Sequence, residues 1–274
     1  MRHAVEAKGT KIPSIGLGTM TLKDDVCIEA VSTALQMGYR HIDTATFYGN
    51  EAEVGEGIRR SGVPREEIFL TTKVRHKDLA PGDFETAVKT SLQQLGFPYV
   101  DLLLIHWPSP TVPPSAYIPL LCQAKRNGQA KNIGVANFTI ALLDQAESLA
   151  DEPLINNQIE VHPFLDQSAI LADCERRGIA VTAYCPLGRG RIPGHPVLDR
   201  IAKAHDKTEA QVALRWLIQQ GLAAIPRTAT PEKLKLNIDI FDFKLSEAEM
   251  TEIGTLPEPN GRLVNPPQAP QWDT

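Results

Sequence analysis

Read for its apolar and polar positions, the chain alternates short strand-like runs with helical ones from end to end. Residues 3–15 alternate weakly around Lys8-Gly9-Thr10, which predicts an N-terminal hairpin. Ile15-Gly16-Leu17-Gly18 follows as a first short strand whose glycines let another backbone come close. From Asp24 onward, Cys27, Val31 and Leu35 recur at four-residue spacing with Ala30 and Ala34 beside them, a helix that Gly38 stops. Further strands are predicted at residues 39–43, 68–73, 100–105, 133–136, 155–160, 179–184 and 222–225. Helices are predicted at 51–60, along Phe84, Val88, Leu92 and Leu95, and at 115–127, 141–149, 168–177 and 198–205. Thr208 with Gln211, and Ser246 with Glu249, are capping boxes that open two later helices, and Thr230-Pro231 opens another. The run 100–105 is nearly all apolar, as a strand covered on both faces should be.

Eight strand–helix units without a linker-like break predict an α/β fold, a closed (β/α)8 TIM barrel behind an N-terminal β-hairpin, as one domain over residues 1–274. The rival, an open doubly wound sheet, would need a glycine-rich turn running straight into a helix. Gly16-x-Gly18 lacks the rest of that pattern, and Gly55-x-Gly57 lies inside a helical stretch. With 42% hydrophobic residues in 274, the core is large enough for such a barrel. The net charge of −5 argues against a nucleic-acid partner. Cys27, Cys122, Cys174 and Cys185 show no paired short spacing, so neither a disulfide scaffold nor a metal knuckle is expected, and Cys27 and Cys174 read as core fillers. No signal-type apolar segment or membrane-length run occurs, so a cytoplasmic location away from membranes is expected.

In a parallel barrel the carboxyl ends of the strands share one face, and active sites sit there. Asp43, Lys73 and His106 end three successive predicted strands, and Tyr48 stands just beyond the first. Lys73 closes an otherwise apolar run, so its charge wants a partner, and Asp43 is the obvious one. A phenol and an imidazole beside that pair suit proton donation to a developing alkoxide, with a hydride coming from a cofactor because no side chain supplies one. Each residue alone has a plainer reading: a structural ion pair, a packed ring, a hydrogen-bonded core imidazole. A metal-dependent barrel hydrolase or isomerase built on Asp43, His106, Glu160 and His162 is the competing class, although these residues have no dense ligand spacing and no metal is expected.

The stretches GLGT, DTATFYGNEAEVG, LTTK, DLLLIHWP, IGVANF, NQIE and IPRTATPEKLKLN resemble, in order and spacing over about residues 12–265, the aldo-keto reductases. The tail NGRLVNPPQAPQWD is similar to that of the small bacterial members acting on 2,5-diketo-D-gluconate and methylglyoxal. The resemblance implies NADPH-linked reduction of a small-molecule carbonyl substrate, with Tyr48 as proton donor, Lys73 lowering its pKa, Asp43 pairing with Lys73, and His106 orienting the carbonyl. For the cofactor it implies Asn137 and Gln158 on the nicotinamide carboxamide and Tyr184 against the ring. It also implies Leu187, Gly188, Arg189 and Arg191 around the pyrophosphate, and Arg227, Thr228, Lys233 and Asn237 around the 2′-phosphate and adenine. Met20, Phe47, Trp107, Arg262 and Leu263, with Trp272, are expected at the substrate opening. Five positions depart from the family's usual residues: Ala136 for serine, Met20 for tryptophan, Leu236 for glutamate, and the exchanged cations Arg227 and Lys233. NADPH is therefore expected to be preferred over NADH by a smaller margin than in relatives. A keto-sugar acid and a small dicarbonyl both remain open as substrates, a monomer is expected, and a nicotinamide-nucleotide-binding subunit without turnover is a further alternative.

Overall fold

The computed structural model describes residues 3–273. β1 (Ala4–Ala7) and β2 (Thr10–Pro13) pair antiparallel, turned by Lys8 (φ 45°) and Gly9 (φ 86°) in succession. Two left-handed residues give the turn the twist that a two-residue hairpin needs. Ala7 and the fully buried Ile12 pack with Phe69, Ala180 and Ala223, which begin their strands, so the hairpin plugs the amino end of the barrel.

Eight parallel strands follow: β3 (Leu17–Gly18), β4 (His41–Asp43), β5 (Phe69–Val74), β6 (Val100–Ile105), β7 (Ala130–Ala136), β8 (Leu154–Glu160), β9 (Ala180–Tyr184) and β10 (Ala223–Ala224), adjacent in chain order. The ring closes where Ile15 bridges Ala224 in parallel. Ala224 N donates to Ser14 O (2.8 Å), Gly16 N to Ala224 O (2.9 Å) and Gly18 N to Pro226 O (3.1 Å). Gly18 must be glycine for that seam, because a Cβ there would lie 2.8 Å from the Ile225 carbonyl. The (β/α)8 barrel with its hairpin is thus the observed architecture.

The outer layer consists of α1 (Asp24–Gln36), α2 (Glu51–Ser61), α3 (Asp83–Leu95), α4 (Pro114–Arg126), α5 (Ile140–Leu149), α6 (Ser168–Arg177), α7 (Pro196–Ala204), α8 (Glu209–Gln219), α9 (Pro231–Ile238) and α10 (Glu247–Gly254). Gly55 and Gly57 do lie within α2, where they let neighbours come close: added Cβ atoms would meet Leu95 O at 2.1 Å and Ile28 O at 2.8 Å. Cys27, Cys122 and Cys174 are buried fillers.

The differences from the expected elements are local. β7 begins earlier, at Ala130, because the polar Lys131 and Asn132 conceal strand that pairs with β6. β10 is only two residues long, since Pro226 follows and the segment also serves the seam. Thr208 and Ser246 make their capping boxes, but the Thr230 side chain makes no cap bond to α9. Among the described residues, no helix is long and apolar enough to cross a membrane.

Candidate active site

Asp43 ends β4 and Lys73 lies at the penultimate position of the neighbouring β5, both almost fully buried. Lys73 Nζ donates to Asp43 Oδ1 (2.5 Å) and to Thr44 O (2.9 Å). The other carboxylate oxygen, Asp43 Oδ2, accepts from Gln158 Nε2 (2.7 Å), reached across the barrel from β8. A buried cation is thereby paired, and its counter-ion is itself satisfied, which is the condition under which such a pair is tolerated.

Tyr48 is carried by a 3-10 turn, Thr46–Tyr48, that Thr46 fastens to β5 by donating Oγ1 to Lys73 O (3.0 Å). Asn50 locks the loop behind it: Oδ1 accepts from Thr44 Oγ1 (2.9 Å), and Nδ2 donates to Thr19 O (2.9 Å) and Leu22 O (3.0 Å). The Lys73 ammonium lies 5.2 Å from the centre of the Tyr48 ring. His106, just past β6, meets that ring edge-on at 5.7 Å. Carboxylate, ammonium, phenol and imidazole therefore share one mouth.

Burial, then the Asp43 charge, then Cys185 hold the Tyr48 phenol well above its ordinary value of 10.0. Burial also lowers the Lys73 ammonium, opposed by its pairing with Asp43. Tyr48 thus keeps its proton at neutral pH.

Burial, reinforced by Lys73 and His76, drives His106 well below 6.5, and burial likewise lowers His41 at the other end of the barrel. A neutral His106 can still donate one N–H to a carbonyl oxygen. Both folded values lie below 6.5, so as the pH falls the unfolded chain takes up these protons first. The stability they contribute is complete above about pH 6.5 and is lost as the pH drops through the folded values. Urea midpoints should therefore fall between pH 7.5 and 5.5, and His106→Gln should lessen that fall.

The residues matched to a nicotinamide form one connected set. Asn137, in the left-handed region (φ 63°), donates Nδ2 to His106 O (2.9 Å) and accepts from the Tyr184 hydroxyl at Oδ1 (2.8 Å). After these bonds Asn137 keeps one N–H and Gln158 keeps Oε1, the donor and acceptor that a carboxamide needs. Tyr184, half-buried at the end of β9, supplies an aromatic face beside them. Ala136 adds no hydroxyl.

In the loop after β9, Leu187 precedes a 3-10 turn over Gly188–Gly190 in which Arg189 is left-handed (φ 49°). The Arg191 side chain ends on Glu258 and lies over the Phe164 ring. At α9, Arg227 and Lys233 are exposed while Thr228 and Asn237 are buried. Thr228 Oγ1 accepts from Thr230 N (3.1 Å), and the absent side-chain cap leaves the first-turn amides open to an anion.

Around the opening, Met20 and Phe47 are exposed at 38% and 68%, forming an apolar lip. Trp107 is buried and meets Trp272 edge-on at 6.1 Å. The C-terminal tail crosses the mouth because Glu160, ending β8, accepts from Leu263 N (2.7 Å) and Val264 N (2.9 Å). Glu160 also pairs with His162 (3.0 Å). Sequence reasoning missed this tie and Asn50, because their partners lie far off in the chain: Leu263 and Val264 for Glu160, Thr19 and Leu22 for Asn50. Among the described residues, no group of three or more His, Cys, Asp and Glu could hold a metal ion.

Comparison with known proteins adds to this geometry. Over 266 residues the chain is 42% identical to the methylglyoxal reductase DkgB of Escherichia coli O157:H7, covering 96% of this chain and 99% of that protein. It is 43% identical over 253 residues to an aldo-keto reductase of Mycobacterium sp. (strain MCS), covering 91% and 89%. A crystal structure provisionally described as a 2,5-diketo-D-gluconic acid reductase B superposes with a TM-score of 0.98 at 43% identity, covering 100% of this chain and 98% of that one. An aldo-keto reductase of Bombyx mori, solved in complex with NADP, superposes at 0.87 with 35% identity, covering 93% and 92%. The model of the aldo/keto reductase family matches residues 14–257, spanning every strand of the barrel and Asp43, Tyr48, Lys73 and His106, and the chain belongs to that family.

Proposed function

We propose that this enzyme reduces small aldehydes and ketones to alcohols with NADPH, and that Tyr48 delivers the proton. The reading is carried by the meeting of Asp43, Tyr48, Lys73 and His106 at the carboxyl ends of three adjacent strands. When bound, the reduced nicotinamide supplies hydride to the carbonyl carbon. The chain does the rest. Neutral His106 donates a hydrogen bond to the carbonyl oxygen and fixes its direction, and Tyr48 holds a proton ready for the same oxygen. Lys73, fixed by Asp43 and Thr44, sets a positive charge beneath the phenol, so that proton loss becomes favourable only as charge develops on substrate. All four groups come from one chain, so the site needs no second copy.

Asn137, Gln158 and Tyr184 would hold the nicotinamide, Leu187 to Arg191 the pyrophosphate, and Arg227, Thr228, Lys233 and Asn237 the 2′-phosphate and adenine. Met20, Phe47, Trp107, Arg262 and Leu263 would wall the substrate. A sweep of aldehydes and ketones followed by NADPH absorbance tests the activity; no turnover on any of them would remove it and favour a binding role. The metal-dependent alternative lacks support in the geometry, since Asp43 is committed to Lys73, and Glu160 and His162 to each other and the tail.

Cofactor choice gives a second test. Two exposed cations beside open helix amides favour the 2′-phosphate, but lysine at 233 cannot stack on adenine as arginine does, and Leu236 offers no carboxylate. kcat/KM should favour NADPH over NADH by about tenfold, the scale of one or two charge-assisted hydrogen bonds. Arg227→Ala should remove most of that margin; equal values in the unsubstituted enzyme would discard the phosphate pocket.

A further inference from the structure

The proton donor stands on a short turn, and that turn is held from three sides. Thr46 ties its front to β5, and Asn50 ties its back to Thr19 and Leu22 in the loop leading from β3 to α1. The third tie runs the other way. Lys23, the last residue of that same loop, donates Nζ to Tyr48 O and to Gly49 O, the latter at 2.9 Å. Among the described residues no other donor reaches either carbonyl. The fit is close: Gly49 is left-handed (φ 58°), and a Cβ on it would lie 3.3 Å from the Lys23 ammonium. Each loop thus grips the backbone of the other with one side chain, Asn50 in one direction and Lys23 in the other.

Local rules do not account for a lysine at this place. Lys23 is the N-cap of α1, a position that favours a side chain able to accept from the first-turn amides, and a cation there opposes the helix dipole. It makes no side-chain cap bond. The backbone around it is also costly. Lys23 is extended (φ −140°, ψ 157°) between Thr21 (φ 69°) and Asp24 (φ 50°), both left-handed, and a β-branched residue is seldom found in that region. Strain and a residue of the wrong charge for its helix coincide where the side chain reaches the turn bearing the phenol, and such local breaches gather at working sites. The carbonyl end of that turn, by contrast, is where an ammonium is favourable.

We propose that Lys23 is a positioning residue for the proton donor: by holding the carbonyls of Tyr48 and Gly49 it fixes the turn, so that the phenol points at the oxygen of the bound carbonyl compound. The role rests on the reductase reading above and adds to it a residue outside the four groups at the mouth. Lys23 acts through the backbone of Tyr48 and needs no contact with substrate or cofactor.

The test compares Lys23→Met, which keeps the stem and loses the ammonium, with Lys23→Arg, which keeps donors for both carbonyls. Single-turnover reduction of butanal by enzyme preloaded with NADPH, followed by absorbance, should slow about tenfold in Lys23→Met, the scale of a slightly misplaced reacting group. NADPH affinity and half-saturation by butanal should stay nearly the same, and the urea midpoint should not move, because Lys23 is exposed. Lys23→Arg should recover most of the rate. An unchanged rate in Lys23→Met, or a Lys23→Arg variant as slow as Lys23→Met, would overturn the proposal. So would a fall in the urea midpoint that matches the fall in rate, which would make Lys23 structural. A loss confined to NADPH affinity and abolished by high salt would overturn it too, since Lys23 would then only attract the anionic cofactor. Absence of turnover in the unsubstituted enzyme would remove the reductase reading, and this role with it.

Discussion

Tyr48→Phe should cut kcat for aldehyde reduction by about two orders of magnitude or more, the usual scale for a lost general acid. NADPH affinity, read by tryptophan fluorescence, should stay nearly the same, because the hydroxyl removed serves the reacting oxygen and none of the groups matched to the cofactor bonds to it. Burial and the Asp43 charge keep the phenol protonated far above neutral pH, so in the unsubstituted enzyme the donor is loaded whenever substrate arrives. His106 cannot readily take its place, since its pKa lies well below 6.5 and a neutral imidazole is a weak acid. Retained turnover in this variant would mean that another group gives the proton.

Asp43→Ala should destabilise the barrel by about 3–5 kcal/mol and abolish most activity, because it leaves the fully buried Lys73 ammonium without its counter-ion. Denaturant midpoints measure the first effect and single-turnover reduction the second. The double variant Asp43→Leu with Lys73→Met should regain much of the lost stability, since an apolar pair of similar volume asks nothing of the interior. It should recover no activity. Recovery of turnover along with stability would show that the pair is structural only.

Much of this was legible from local pattern. The apolar run of β6, the four-residue spacing of α1 and the two capping boxes each depend on neighbours in sequence, and each stands where the pattern puts it. The three polar strand ends were legible because a parallel barrel sends all its carboxyl ends to one rim. What sequence could not show was how the charges divide among partners far apart in the chain. Gln158 was matched to the cofactor alone, yet its Nε2 also holds Asp43, a contact set by the curvature of the closed ring. Arg191 was matched to a phosphate and ends on Glu258. The Asp43–Lys73 pair was legible, but the burial that holds the Tyr48 phenol high depends on packing from distant parts of the chain.

The seam of the barrel joins the segment around Ser14 to Gly18 with Ala224 and Pro226, near opposite termini. During synthesis those partners cannot meet until residue 226 has left the ribosome. Any arc of strands formed before that point would present unpaired backbone at its edges, the kind of surface to which other chains bind. The hairpin emerges first, and the amino ends of β9 and β10 that complete its plug emerge near the end.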